Sequence, residues 1–216
     1  MSQRSLIAAG SIVALLVAAG ANAGGSAVTL SARPLVLPAA ISPQYEGLTL
    51  SGTVGSGRAE EDVTIETNEC TFPGWREAFS THTDAGGVFH ANAGALVKTT
   101  FRARWKGSVS AGVTVQTRPG VRLEVNGRNK WAVGVLGQRS FLDRKAQLQR
   151  FDRSTARWRT VKRFRLTKKF RVGAGSWTYG YFRYKAPRAS QLRAYIARSE
   201  VRPCYLAGYS IIFQVR

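Results

Sequence analysis

Phe101-Arg102-Ala103-Arg104-Trp105-Lys106-Gly107-Ser108 returns 91 residues later, without a gap, as Leu192-Arg193-Ala194-Tyr195-Ile196-Ala197-Arg198-Ser199. Both copies place apolar residues at alternate positions and end in a small polar residue. That period of two is the mark of a half-buried β-strand running into a turn. Its return implies one sandwich-sized unit built twice in tandem. A looser echo supports this. Trp158-Arg159 follows Trp75-Arg76 at a spacing of 83, and Trp131 follows Leu48 at the same spacing. Identity over that stretch is otherwise poor, but the apolar pattern recurs, as at Ile65 and Leu148.

Turn signals divide each copy into short strands. In the first, Val28-Thr29-Leu30 and the proline-broken Arg33–Pro38 precede Leu48–Val54, and Gly55-Ser56-Gly57 ends that strand. Asp62–Thr67 alternates cleanly. Trp75–Thr83 and Val88–Ala91 are joined at Asp84-Ala85-Gly86-Gly87, and Thr99–Trp105 and Gly112–Thr117 follow. Arg118-Pro119-Gly120 reads as a hinge. Beyond it, strands are expected at Val121–Val125, Trp131–Val135, Lys145–Phe151, Arg157–Leu166, Gln191–Ile196 and Tyr209–Val215. One or two more lie within Phe170–Tyr184, whose aromatic run has no clear register. About seven strands per unit and no helical periodicity describe two β-sandwiches, residues 28–117 and 121–216. Of the 216 residues, 44% are hydrophobic, enough for a core in each.

The first segment reads as an export signal. Arg4 precedes an apolar run from Leu6 to Ala19, shorter than the ~20 residues of a membrane span. Ala21-Asn22-Ala23 is an A-x-A cleavage site, so residues 1–23 are expected to be a signal peptide and the mature chain to start at Gly24. An uncleaved anchor is the alternative. No cysteine follows the apolar run to carry a lipid. The expected location is secreted or attached to the cell envelope, where disulfides persist.

Val28-Thr29-Leu30 with Leu48-Thr49-Leu50-Ser51-Gly52-Thr53-Val54, then Thr83-Asp84-Ala85-Gly86-Gly87-Val88-Phe89 and Thr99-Thr100-Phe101-Arg102-Ala103, resemble the tandem immunoglobulin-like modules of secreted bacterial proteins. With the second copy the likeness covers most of 28–216. It implies an all-β fold of two tandem immunoglobulin-like domains, and a spacer, adhesive or ligand-binding role more often than an enzyme. No catalytic residue is carried over. The antibody-type cysteine pair within one sandwich is absent.

Charge is the strongest functional signal. The chain carries 32 Lys and Arg against 12 Asp and Glu, a net +20. Residues 24–117 hold seven basic and eight acidic residues, whereas 118–216 hold 24 basic and four acidic. Such asymmetry points to a polyanionic partner for the second unit, although a solvated basic surface would read the same. Within it, Arg157, Arg159, Arg163 and Arg165 alternate along a strand and are expected on one face, with Val161 between them. Face neighbours there are ~6.6 Å apart, near the phosphate spacing of an extended polyanion. Trp158, Phe164 and Leu166 would then be core, and Lys168, Lys169 and Arg171 continue the run. Guanidinium forks suit phosphate and carboxylate oxygens. The same row could simply guard a sheet against edge-to-edge aggregation. Candidate partners are an anionic wall polymer, an acidic glycan, a membrane surface or DNA.

Other chemistry is sparse. His82, His90 and Asp84 lack the ligand number and spacing of a metal site. Glu60, Glu61 and Asp62 form an acidic turn with calcium-type oxygens, which also reads as a solvated turn. Gly-x-Ser-x-Gly and His-Glu-x-x-His are absent, and no cofactor motif or small-molecule site is seen. Arg102 and Arg193 read as structural, their stems on the sheet and heads in water or on a carboxylate. Trp75 and Trp158 read as core. The reading is a non-catalytic binding or structural module. A hydrolase with a site between the units, or a ligand-free spacer, is the alternative.

The only two cysteines, Cys70 and Cys204, lie in different units. Tracing strands alternately down and up brings Cys70 to the bottom of the first unit and the 197–208 connection to the top of the second. An exported chain should therefore pair them across the junction. Free thiols or an intermolecular bridge are the rivals.

Overall fold

The structure is a computed structural model and describes residues 28–37, 47–173 and 175–216. The expected export signal and cleavage site lie outside the described residues. The first half contains β1 (Ser31–Arg33), β2 (Leu48–Thr53), β3 (Asp62–Glu69), β4 (Phe72–His82), β5 (Val88–Ala93), β6 (Thr99–Trp105), β7 (Ser108–Val109) and β8 (Val113–Val115). The second contains β9 (Gly120–Val125), β10 (Lys130–Gly137), β11 (Lys145–Asp152), β12 (Arg157–Arg165), β13 (Lys168–Val172), β14 (Gly175–Arg183) and β15 (Gln191–Ile196). A single turn of helix, α1 (Arg198–Val201), and two short strands, β16 (Gly208–Tyr209) and β17 (Phe213–Gln214), complete it.

The chain is all-β and sandwich-like. Four sheets form two facing pairs, and every ladder between named strands is antiparallel. In the first half, β1-β2-β5 faces β4-β3-β6-β7, with β8 also on β6. In the second, β13-β14-β10-β9 faces β12-β11-β15-β16, with β17 also on β15. Alternate residues of facing strands fill each core. Leu48, Leu50, Val63, Ile65, Phe89 and Phe101 do so in the first, and Val133, Val135, Leu148, Leu166, Leu192 and Ile196 in the second.

The repeat is a repeat of structure. Phe101, Ala103 and Trp105 face the first core, and Leu192, Ala194 and Ile196 face the second. Each strand is locked by a buried serine from the following segment. Ser110 Oγ accepts from the Ala103 N–H at 2.9 Å, and Ser210 Oγ accepts from the Ala194 N–H at 2.9 Å. The 83-residue spacing holds in β2–β4 against β10–β12, where it extends to a β-bulge. Register slips between Ile65 and Glu66 against β4, and between Leu148 and Gln149 against β12. The change from 83 to 91 falls where the second half inserts β13, which has no first-half counterpart. The ambiguous aromatic run resolves into the β13–β14 hairpin.

Three expectations need revision. Val28 forms only an isolated bridge to Val54, and the last strand divides into β16 and β17. The proposed hinge is a packed segment, since Pro119 and Gly120 are buried and Gly120 opens β9. The Leu206 N–H donates to the Thr117 carbonyl at 2.9 Å and the Lys98 N–H to the Cys204 carbonyl at 3.0 Å. Gln138 accepts from Thr71 at 2.6 Å and donates to Glu69 at 3.0 Å. Val97 belongs to the second core. Pro and Gly end a strand locally, but tertiary contacts hold this segment in place.

Cys70 and Cys204 form the disulfide expected across this junction, with Cα atoms 5.4 Å apart. Tyr205 is buried beside it, and its hydroxyl accepts from the Gln138 N–H at 2.8 Å. Burial raises its pKa to about 12. Among the described residues no helix is long and apolar enough to cross a membrane.

Candidate functional site

The outer face of the β4-β3-β6 sheet shows what this scaffold does with arginine. Side chains alternate along each strand, so Val63 and Ile65 face the core while Asp62, Thr64 and Glu66 face outward. Glu66 pairs in register with Arg102 of β6 and Glu77 of β4. Its two oxygens accept from Arg102 Nε at 2.6 Å and Arg104 Nε at 3.0 Å, and Glu77 lies 3.9 Å from Arg104. Burial works against the Glu66 charge, but the hydrogen bonds and charges of Arg102 and Arg104 outweigh it and hold the carboxyl below its ordinary 4.5. The Arg102 guanidinium also lies over Trp75, 4.0 Å from the ring centroid. Two rows along, Asp62 and His82 are paired at 2.9 Å. This face neutralises itself.

The second half builds the same face from residues 83 or 91 positions on and omits every carboxylate. Gln149 replaces Glu66, Thr160 replaces Glu77, and Tyr195 replaces Arg104. Lys145 and Arg165 form the pair that Asp62 and His82 form in the first half, and Arg163 stands where Ser80 does. Arg193 keeps the place of Arg102. Its Nε donates to Gln149 Oε1 at 2.9 Å, and its guanidinium lies between Trp158 at 4.3 Å and Tyr209 at 5.5 Å. Its terminal nitrogens have no partner among the described residues and are not buried, so both reach solvent. Partial burial lowers its pKa from the ordinary arginine value, yet it remains a cation at neutral pH.

The bulge corrects the expected arginine row. Gln149 pairs with Thr160 and Leu148 with Lys162, so Val161 is the extra residue. One extra residue reverses the face of everything beyond it. Arg163 and Arg165 therefore share the outer face with Thr160 and Trp158. Arg157 and Arg159 fall on the other side, with Lys162. The side-chain contacts agree: Thr160 donates to Gln147 at 2.6 Å, Trp158 packs on Phe151, and Arg159 reaches Asp152 at 2.7 Å. The Ser154 hydroxyl first, with Arg159 adding its charge, holds Asp152 below its ordinary value. Trp158 is thus not core, and Trp75 is 38% exposed. Each is a platform for an arginine. Arg102 has the structural role expected of it, its head on a carboxylate, whereas Arg193 keeps the stacked stem but sets its head on an amide.

Residues 157–172 form one extended run that leaves the first sheet after Arg165 and joins the second at Lys168. Fully buried Leu166 anchors the crossing. Arg157, Arg159, Lys162, Arg163, Arg165, Lys168, Lys169 and Arg171 are all exposed along it. Among the described residues, only Arg159 of these eight has a carboxylate within 4.0 Å. Lys168 shares the outer face of its sheet with Phe170, while Lys169 and Arg171 alternate to the opposite side.

A second feature escaped the sequence. Trp177, Tyr179 and Tyr181 line the outer face of β14, with centroids 6.0 and 6.1 Å apart. Gly134 lies beneath them. A Cβ there would come within 2.9 Å of both Trp177 and Tyr179, so only glycine lets the rings lie down. Arg122 covers Trp177 at 4.2 Å and Tyr179 at 5.0 Å, and Lys168 stands 5.5 Å over Tyr181. The alternation from Trp177 to Tyr181 was the available signal, but it could not say which face was outward.

The remaining candidates separate. His82 and His90 lie on β4 and β5, strands of different sheets. Glu61 is engaged by Lys106 and by the Ser56 hydroxyl, which hold its pKa down. Among the described residues, no three His, Cys, Asp or Glu side chains gather to hold a metal. A shallow concavity at the junction is lined by Lys98, Arg198, Ser199, Arg202 and Pro203. Comparison with protein-family models finds no match, and neither does comparison with curated proteins.

Proposed function

We propose that this is an exported, non-catalytic protein of the cell envelope, built of two immunoglobulin-like modules, whose second module binds anionic polymers. Strand order supports the modules. With β12 lettered C′ and the rest lettered A to G along the chain, β9-β10-β14-β13 runs A-B-E-D and β12-β11-β15-β16 runs C′-C-F-G, the two sheets of an immunoglobulin-type sandwich. The first half repeats it without D. The A-x-A signal and the cysteine bridge support export.

The observation that carries the binding reading is the cationic run 157–172, in which seven of eight exposed cations have no carboxylate partner among the described residues. Without carboxylate partners these charges repel one another rather than being neutralised within the fold. Their charge is available to a polyanion, whose released counterions supply the affinity. The test is a salt series with the full mature chain against wall preparations, acidic glycans, anionic liposomes and DNA. The outer-face variant K145Q/R163Q/R165Q should lose at least tenfold in affinity for the polymer that binds and flatten its salt slope. R157S/R159S, on the other side of the bulge, should lose less. Equal affinity for the wild type and the triple variant would sink the reading.

A further inference from the structure

The two halves place an arginine over a tryptophan at equivalent points, but only the first supplies its counter-ion. Glu66 fills the slot beside Arg102 with a carboxylate, 2.6 Å from Nε. In the slot beside Arg193 stands Gln149, a neutral side chain of the same shape, and Thr160 replaces the second carboxylate. We infer that the Arg193 slot is a docking site for a ligand carboxylate, and that the polymer taken by the second half is a carboxylate-bearing polysaccharide. The inference rests on the polyanion reading and narrows it.

The slot is prepared for that group. The Arg193 guanidinium is held edge-out between Trp158 and Tyr209, with Nε committed to Gln149 and both terminal nitrogens open to solvent. Two parallel N–H donors are the fork that a carboxylate accepts in plane. Gln149 accepts through Oε1, which leaves its amide N–H groups as further donors. A bound carboxylate restores the neutrality that Glu66 provides in the first half.

The surroundings favour a sugar chain over a phosphodiester. Thr160, Gln147, Tyr195 and half-exposed Tyr209 flank Arg193 on the same face and offer hydroxyls, an amide and aromatic surface. Aromatic faces take the C–H face of a sugar ring, and neutral polar groups take its hydroxyls. Toward β12 the next cation on the face is Arg163, one row along and two strands across, ~12 Å away by ordinary sheet spacings, while on the other side Arg118 stands 5.6 Å over the same Tyr209 ring. The first distance is about the reach of a disaccharide, so a polymer with an acid on alternate sugars would meet both Arg193 and Arg163.

The experiment measures binding of polygalacturonate to the full mature chain at constant ionic strength. Fully methyl-esterified polygalacturonate and DNA serve as comparators. Gln149→Glu places the missing carboxylate in the slot, as Glu66 does naturally, so it preserves the fold while closing the site. Arg128→Gln makes the same change in net charge in the exposed turn between β9 and β10. The wild type is expected to bind polygalacturonate and not its ester. Q149E should weaken that binding tenfold or more, R128Q by less than twofold, and the two variants should affect DNA binding alike. Polygalacturonate affinity in Q149E within twofold of the wild type would overturn the slot. If DNA or another polyanion still bound normally, the broader reading would stand without it. A wild type that bound no polyanion would overturn both.

Discussion

Glu66 and Gln149 occupy the same place on the same scaffold, at the same side of the same bulge, beside an arginine stacked on the same tryptophan. Around Glu66 the outer face alternates in sign: Asp62 meets His82, and Glu66 bridges Arg102 and Arg104 while Glu77 approaches Arg104. Around Gln149 the acids are gone and Lys145, Arg163 and Arg165 stand in the vacated rows. Backbone, bulge, serine lock and arginine stack are what the fold requires, because both halves retain them. The charges around that arginine are what it does not require, because they differ. Positions free to vary, from which every carboxylate has gone, are where the proposed binding belongs.

The largest test of the comparison removes the covalent tie between the halves. Replacing Cys70 and Cys204 with serine opens a loop spanning 134 residues. The loss should be about 3–5 kcal/mol in the chain-entropy account. Denaturant unfolding should then resolve two transitions, one for each core. A single unchanged transition would mean that the packed junction alone couples the halves.

The serine locks come next. Ser110→Ala and Ser210→Ala each leave a buried backbone N–H, on Ala103 or Ala194, without its acceptor. Each should cost about 1–3 kcal/mol. The sharper expectation is that the two costs agree, since the geometry does. A lock that matters in only one half would break the equivalence of β6 and β15.

Acid should separate the halves more gently. The Glu66 pKa is below its ordinary 4.5, so its contribution is present above that value and is lost as pH falls through the lower, folded value. Glu61 acts in the same direction. The second half has one depressed carboxyl, Asp152, at an exposed turn. Thermal scans of the disulfide-free variant should show the first half losing stability below pH 4.5 while the second changes little.

The smallest effect is also the most direct check on the slot. Glu66→Gln gives the first half the open arrangement of the second and should cost about 1 kcal/mol, since Arg104 is exposed and only Arg102 is half-buried. It should also give the first half a measurable affinity for the same polyanion. Stability unaltered beyond that amount, with new binding, would confirm that the scaffold tolerates either state.

Most strands were legible because alternation is a local property. Val63 and Ile65, or Leu148 between Gln147 and Gln149, declare a half-buried strand without reference to any partner. The cysteine pairing was also accessible, since strand directions bring residues 70 and 204 to one level. What failed was continuity of phase along β12. Arg157 to Arg165 alternates on paper, yet Val161 is an extra residue opposite β11, and a bulge exists only in a pairing. The tryptophans failed for a related reason. Trp75 and Trp158 are large and apolar, and only the register of β4 and β12, with Arg102 and Arg193 reaching over them from two strands away, shows them on the outer face.

By itself, then, the sequence determined the β class, the tandem repeat, the charge division and the cysteine pair, because composition, period and spacing lie within the chain. Only the tertiary structure decided which arginines share a face, that Arg118-Pro119-Gly120 is packed rather than free, and that Trp177 and Tyr179 lie over Gly134. Each of these depends on which strand lies alongside and in what register, and register is a relation between distant segments that no single segment carries.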